Sequence, residues 1–201
     1  EKLGESFEKN DNILFVECDV SSVDDLKKAV SKTMEKFKRI DVLVNNAGIN
    51  IRTDFINTKK RDWETAINTN LTSMFFLSQF VGKIMLKQKE GNIINISSIL
   101  GIKADSVSVQ YGVSKSGIIM LTKYLAKLFA PHVTVNCIAP GFVNTDWHSD
   151  KSPELRQKII NKIPLKRFAE PIEIAQFVVF LVTKGKYMTG ETIVIDGGYT
   201  L

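Results

Sequence analysis

The chain has 201 residues, 44% of them hydrophobic and 24% charged, with a formal net charge of +5. That mixture suits one globular domain with a shared core and excludes a disordered chain. No apolar run approaches the ~20 residues that a membrane span needs, and no basic-then-apolar leader precedes the first strand, so a cytoplasmic protein with no membrane partner is expected. The positive charge is scattered, as in Lys27-Lys28 and Lys59-Lys60-Arg61, so a nucleic-acid partner is not expected either.

In chain order, short apolar runs alternate with longer helical patterns, the order of a doubly wound parallel sheet in the α/β class. Residues 1–10 resemble the tail of a helix. Strands are expected at Ile13–Cys18, Asp41–Asn45, Asn92–Ile96, Val133–Ile138 and Thr192–Ile195, most of them continuously apolar as fully buried parallel strands are. Ser22 caps a helix with Asp24 and Asp25 in its first turn and Lys36, Lys38 and Arg39 towards its end, an order that suits the helix dipole. Long helical patterns follow over Asp62–Lys87 and Ser108–Phe129, and Pro171 opens one more helix at a position where its missing N–H does no harm. Cys18 and Cys137 each fall inside a strand-like run, which predicts buried free thiols rather than a disulfide or a metal site. The whole is read as one Rossmann-like domain, 1–201. The expected first strand-helix-strand unit lies outside it, because no glycine-rich phosphate turn of the G-x-x-x-G-x-G or G-x-G-x-x-G kind occurs in these residues.

The chemistry begins with Tyr111 and Lys115. Four positions apart in a helix, they project from one face, where an ammonium beside a phenol favours the phenolate and lowers a pKa of about 10. Spacing alone is weak evidence, since four Tyr and 22 Lys in this length give about 0.4 such pairs by chance. Ser98 follows the strand Asn92–Ile96, and the carboxyl ends of strands are where open α/β sheets bind ligands. Asn45-Asn46-Ala47-Gly48 stands at another strand end, where amides followed by nearly bare backbone admit a flat ligand, and Pro140-Gly141 with Thr145 follows a third. Each of these also reads as an ordinary turn when taken alone. Asn70, a poor helix former inside a long helix, can hold a water through a local bond, the plainer reading being a polar residue on the exposed side.

Together, Asp19, Asn45-Asn46-Ala47-Gly48, Asn70, Ser98, Tyr111-x-x-x-Lys115, Pro140-Gly141 with Thr145, and Thr189-Gly190-Glu191 resemble the short-chain dehydrogenase/reductases in order and spacing, from Ile13 to Gly198. The resemblance implies an NAD(P)-dependent oxidoreductase interconverting a carbonyl and an alcohol, with Asn70, Ser98, Tyr111 and Lys115 as catalytic residues. It implies cofactor contacts at Asp19, Val20, Asn46, Ala47, Gly48, Tyr111, Lys115, Pro140, Gly141, Val143 and Thr145, and no metal. NADP or NAD is the implied cofactor, NADP preferred. Within the family, Ile67–Ser73 and the stretch from Pro140 to Phe168 are most similar to 3-oxoacyl-[acyl-carrier-protein] reductases, which implies a carbonyl substrate that is acyl-carrier-bound or a small molecule, and a homotetramer packed through Tyr187–Gly198. Ile49-Asn50-Ile51-Arg52 departs from that subfamily's pattern, as does the bulky loop Asp146–Pro153 with Trp147 and His148. A sugar, polyol or small-alcohol dehydrogenase of the same family is therefore the alternative, and a non-catalytic binding protein of the same fold is the alternative outside enzymes.

Overall fold

The computed structural model describes residues 10–104, 108–149 and 151–201; the helical tail expected over 1–10 lies almost wholly outside them. Four parallel strands, β1 (Val42–Asn45), β2 (Gly91–Ile96), β3 (Val133–Pro140) and β4 (Thr192–Ile195), pair in the order β1-β2-β3-β4. The register sets Asn45 opposite Asn95, Ile93 opposite Val135 and Cys137 opposite Thr192, so the carboxyl ends of the strands share one edge.

The apolar content of β2 and β3 has a direct cause. Ile93 faces a core built with Val133, Val135, Val81, Met85 and Leu125, whereas its neighbour Ile94 faces the opposite core with Ile138 and Leu181. With both faces covered, the strands are mainly apolar, and the buried polar residues they do carry, Asn95 and Asn136, are hydrogen-bonded inside. One face is covered by α3 (Ser73–Gln88) and α4 (Val109–Phe129), the other by α6 (Pro171–Thr183). Helix α1 (Val23–Phe37) begins as its sequence predicts, with Ser22 accepting from the Asp25 N–H, and ends where Lys38 takes the left-handed conformation. Helix α6 starts at Pro171. Helix α5 (Pro153–Lys162) is capped by Ser152 and lies beyond the substrate-side end of β3.

Two expectations are corrected. Ile13–Cys18 belongs to no ladder among the described residues, where the sheet ends at β1, and Phe15 is exposed. An apolar run becomes a strand only when another strand offers it hydrogen bonds. Consistently, Cys18 is a half-buried free thiol and only Cys137, within β3, is buried. The long helix expected over Asp62–Lys87 is in fact α2 (Lys60–Ile67), a five-residue π-helical turn (Asn68–Thr72) and α3 in unbroken succession.

Candidate active site

Turns follow the carboxyl ends of β1, β2 and β3, and helix α4 crosses them. Gly101, after β2, sits so close to α4 that a Cβ there would lie 2.7 Å from the carbonyl carbon of Lys115, and a Cβ on Gly117 would meet Leu71 of the π-helical turn at 2.7 Å. These bare positions let α4 press against both neighbours. Hydrogen bonds then fix it: the Ser97 hydroxyl donates to the Lys115 carbonyl at 2.8 Å and the Asn70 amide to the Ser114 hydroxyl at 3.0 Å.

Tyr111 and Ser98 are each 9% exposed, Ser98 stands near enough to the phenol to draw its pKa down, and it accepts from the Leu100 N–H at 3.1 Å. The Lys115 ammonium, 3% exposed, lies 5.4 Å from the centre of the Tyr111 ring and donates to the Ile96 carbonyl at 2.9 Å. Asn70 is fully buried rather than on the exposed side of its helix. Its amide accepts from the Ile49 N–H at 2.8 Å and donates to the Ile49 carbonyl at 2.9 Å and to Ser114 at 3.0 Å. The side chain is thus committed to protein partners, and it joins the π-helical turn, the loop after β1 and α4 at one point. The four residues named from the sequence as catalytic therefore converge.

The electrostatics correct one expectation. Burial raises the Tyr111 phenol above its ordinary value, the Ser98 hydroxyl pulling it partly back, and Lys115 does not lower it. The same burial pushes the Lys115 ammonium down to about 8. In this pocket desolvation outweighs the charge that sequence reasoning relied on. The consequence is a phenol that keeps its proton at neutral pH and has a hydroxyl beside it.

The cofactor-side residues are spread around this centre. Gly48 belongs to it, since a Cβ there would stand 3.5 Å from the Lys115 ammonium and 3.3 Å from the Asn70 oxygen; its bare backbone keeps the space before the ammonium open. One of the three ammonium N–H bonds goes to Ile96, which leaves two for a vicinal diol such as a cofactor ribose. Pro140 closes β3, and Gly141 approaches Asp196 so closely that a Cβ would lie 2.7 Å from that side chain. Val143 bridges to Ala169, and Thr145 donates its N–H to the Val143 carbonyl at 2.9 Å. Asn46 and Ala47 are exposed beside Gly48. Asp19 accepts from the N–H and hydroxyl of Ser21, an Asx turn just ahead of α1, with Val20 inside it. None of these residues supplies a glycine-rich cradle for a pyrophosphate.

Beside Tyr111 opens a cleft of about 490 Å³ lined by Ile49, Asn50, Arg52 and Trp147, the Trp147 ring lying 6.2 Å from that of Tyr111. Sequence reasoning marked the loop around Trp147 as unusual but did not connect it to Asn50. It also missed Gln110, almost fully buried, which donates to the Ile51 carbonyl and to Thr53 at 3.1 Å and so fastens the cleft's wall to the helix turn that carries Tyr111.

A phenol, a hydroxyl and an ammonium converging beneath an open cleft, on the strand-end edge of a parallel sheet, define an alcohol/carbonyl oxidoreductase that works with a nicotinamide cofactor. The family model described as enoyl-(acyl carrier protein) reductase matches residues 1–200. The chain belongs to the short-chain dehydrogenase/reductase family. It is 42% identical over 185 residues to the 3-oxoacyl-[acyl-carrier-protein] reductase of Thermotoga maritima, covering 90% of this chain and 75% of that protein. To a 3-oxoacyl-[acyl-carrier-protein] reductase of Synechocystis it is 41% identical, over 92% of this chain and 75% of that one. Among solved structures, a putative gluconate dehydrogenase of Agrobacterium tumefaciens superposes with a TM-score of 0.88 at 34% identity, over 92% of this chain and 74% of the other.

Proposed function

We propose that the protein reduces a 3-oxoacyl thioester to the 3-hydroxyacyl form, drawing on NADPH in preference to NADH. The observation that carries this reading is the grouping of buried Tyr111, Ser98 and Lys115 beside the cleft, with the Tyr111 ring 6.2 Å from Trp147 in its lining and the phenol held protonated by burial. A bound nicotinamide cofactor supplies the hydride. Ser98 donates a hydrogen bond to the substrate carbonyl, and Tyr111 gives its proton to the alkoxide oxygen as it forms. Lys115 would hold the cofactor ribose through its remaining N–H bonds. Asn70 keeps the loop at Ile49 against α4, and a water that returns the proton would be held by the main chain of the π-helical turn, since the Asn70 amide is already engaged.

A second reading, a sugar or polyol dehydrogenase, is favoured by the polar lining of the cleft at Asn50 and Arg52 and by the likeness to the putative gluconate dehydrogenase. One experiment separates them: kcat/KM for reduction and oxidation with each cofactor, comparing a 3-oxoacyl thioester with polyhydroxy ketones and simple ketones. Highest turnover of the thioester with NADPH is expected; a preference for polyhydroxy ketones overturns the first reading in favour of the second. The proposed homotetramer is supported by exposed apolar side chains at Tyr187, Val194 and Leu201, and mass in solution tests it.

A further inference from the structure

The wall of the cleft is held in an uneven way. Asn70 fastens both main-chain groups of Ile49, and Gln110 fastens the carbonyl of Ile51. Between these two anchors stands Asn50, which lines the cleft, and its side-chain oxygen is buried with no hydrogen-bond partner. An amide oxygen without a partner is an unfavourable feature of a folded protein, and native structures rarely keep one without a use for it. The terminal torsion of an asparagine is broad, so turning that oxygen into the cleft costs little and gains a bond as soon as a donor enters. The loop is pinned on either side, so the amide is offered from a fixed place next to Tyr111 and Trp147.

We propose that Asn50 is a specificity-determining residue, its side-chain oxygen accepting a hydrogen bond from an amide N–H or a hydroxyl carried by the substrate a few bonds from the reacting carbonyl. This rests on Tyr111 and Ser98 being the reacting site. It deepens the functional reading by adding a second requirement on the substrate: a carbonyl alone is not enough, and a donor group must accompany it. An acyl thioester on a pantetheine-like arm meets that requirement with an amide N–H, and a polyhydroxy ketone with a hydroxyl.

The test uses two substrate pairs that differ only in the donor. The first is the N-acetylcysteamine thioester of 3-oxobutyrate against an S-alkyl thioester of equal length without the amide; the second is a polyhydroxy ketone against its deoxy analogue. The wild-type protein is expected to favour the donor-bearing member by roughly tenfold in kcat/KM, mostly through KM, the worth of one well-placed hydrogen bond. Asn50→Ala should bring that ratio towards one, and Asn50→Asp, which keeps an acceptor, should largely retain it. Quenching of Trp147 fluorescence by the corresponding alcohols reads the same preference without turnover. A preference confined to the polyhydroxy pair, and lost in Asn50→Ala, upholds the role of Asn50 while removing the thioester reading. Brisk thioester turnover with no donor preference, or with one that survives Asn50→Ala, overturns the role of Asn50 and leaves the thioester reading standing. If no substrate turns over, equal quenching by donor-bearing and donor-free alcohols overturns it as well.

Discussion

The floor of the site and its rim are built on different principles. Asn70, Ser98, Tyr111 and Lys115 form the floor; all are nearly or fully buried, and each lies against an element far away in sequence. The rim, from Val143 to Phe168, is mostly exposed. One side chain links it to two elements: Asn144 accepts from Arg156 of α5 at 2.6 Å and donates to Glu170 at 3.1 Å. A rigid floor fixes the reacting groups to within tenths of an ångström, and a lightly held rim can adapt to what enters. Floor substitutions should therefore act chiefly on kcat, and rim substitutions should change KM alone.

The largest effect is expected at Tyr111. Tyr111→Phe removes the proton donor and keeps the ring that packs near Trp147, so kcat should fall by at least about 100-fold with the circular dichroism spectrum and Tm little changed. Substantial residual turnover would show that the phenol is not the acid. In the unmodified protein without cofactor, ultraviolet titration should find one tyrosine ionising above its ordinary pKa of about 10.

Lys115→Met sharpens the contrast, because function and stability should move in opposite directions. Burial holds the native ammonium at about 8 against an ordinary 10.5. Between those values the unfolded chain binds more protons, so in the native protein this group makes stability rise with pH from about 8 to 10.5. Below 8 the full penalty for burying the charge applies, on the order of 3 kcal/mol from the shift. The Met variant should thus melt higher than the native protein at pH 7, with the gap narrowing from pH 8 to 10.5, while cofactor affinity and rate collapse. An unaltered Tm at pH 7 would mean that the ammonium is better solvated than its burial implies.

Asn70→Ala tests the cross-link itself. It orphans the Ile49 N–H and carbonyl and leaves Ser114 without its donor, an expected loss of about 2 kcal/mol in urea unfolding together with a fall in kcat. A change in KM without a stability loss would erase the distinction between floor and rim.

These residues also mark how far sequence reasoning reaches. Local rules worked where the cause was local: Ser22 as a cap, Pro171 as a helix start, the shared face of Tyr111 and Lys115, and the buried runs of β2 and β3. They failed where the cause was a distant partner. Ile13–Cys18 has strand composition but no ladder among the described residues. Asn70 stands four positions from the buried Ala66 and Met74, on the inward face of its helix, and a polar side chain there does not announce that its partners lie inside. The run Asn68-Thr69-Asn70, three poor helix formers together, was the available signal. Nothing local announces that Asn45 bonds Asn95 and Ser78, that Asn95 bonds Thr122, or that Gln110 holds Ile51 across 59 positions. The direction of the Tyr111 shift failed for a related reason, because burial is a property of the folded whole and opposed the charge visible in the spacing.

The smallest effect should come from the rim, and it is the most direct attack on the comparison. Asn144→Ala leaves the Asn144 N–H bonded to Ala169 and removes both side-chain links, freeing Arg156 and Glu170 on an exposed surface. Exposed polar links of this sort are worth well under about 1 kcal/mol each, so Tm should move by only a degree or two. With the loop that carries Trp147 less firmly held, substrate binding should weaken severalfold while kcat holds, because the Tyr111–Ser98 pair does not touch this loop's polar anchors. Arg156 retains its stacking over Phe168, 4.4 Å from the ring centre, which limits the displacement. A large fall in kcat from this one substitution would mean that the rim and the floor move as a unit, and that precision at Tyr111 depends on a loop whose side chains lie largely in water.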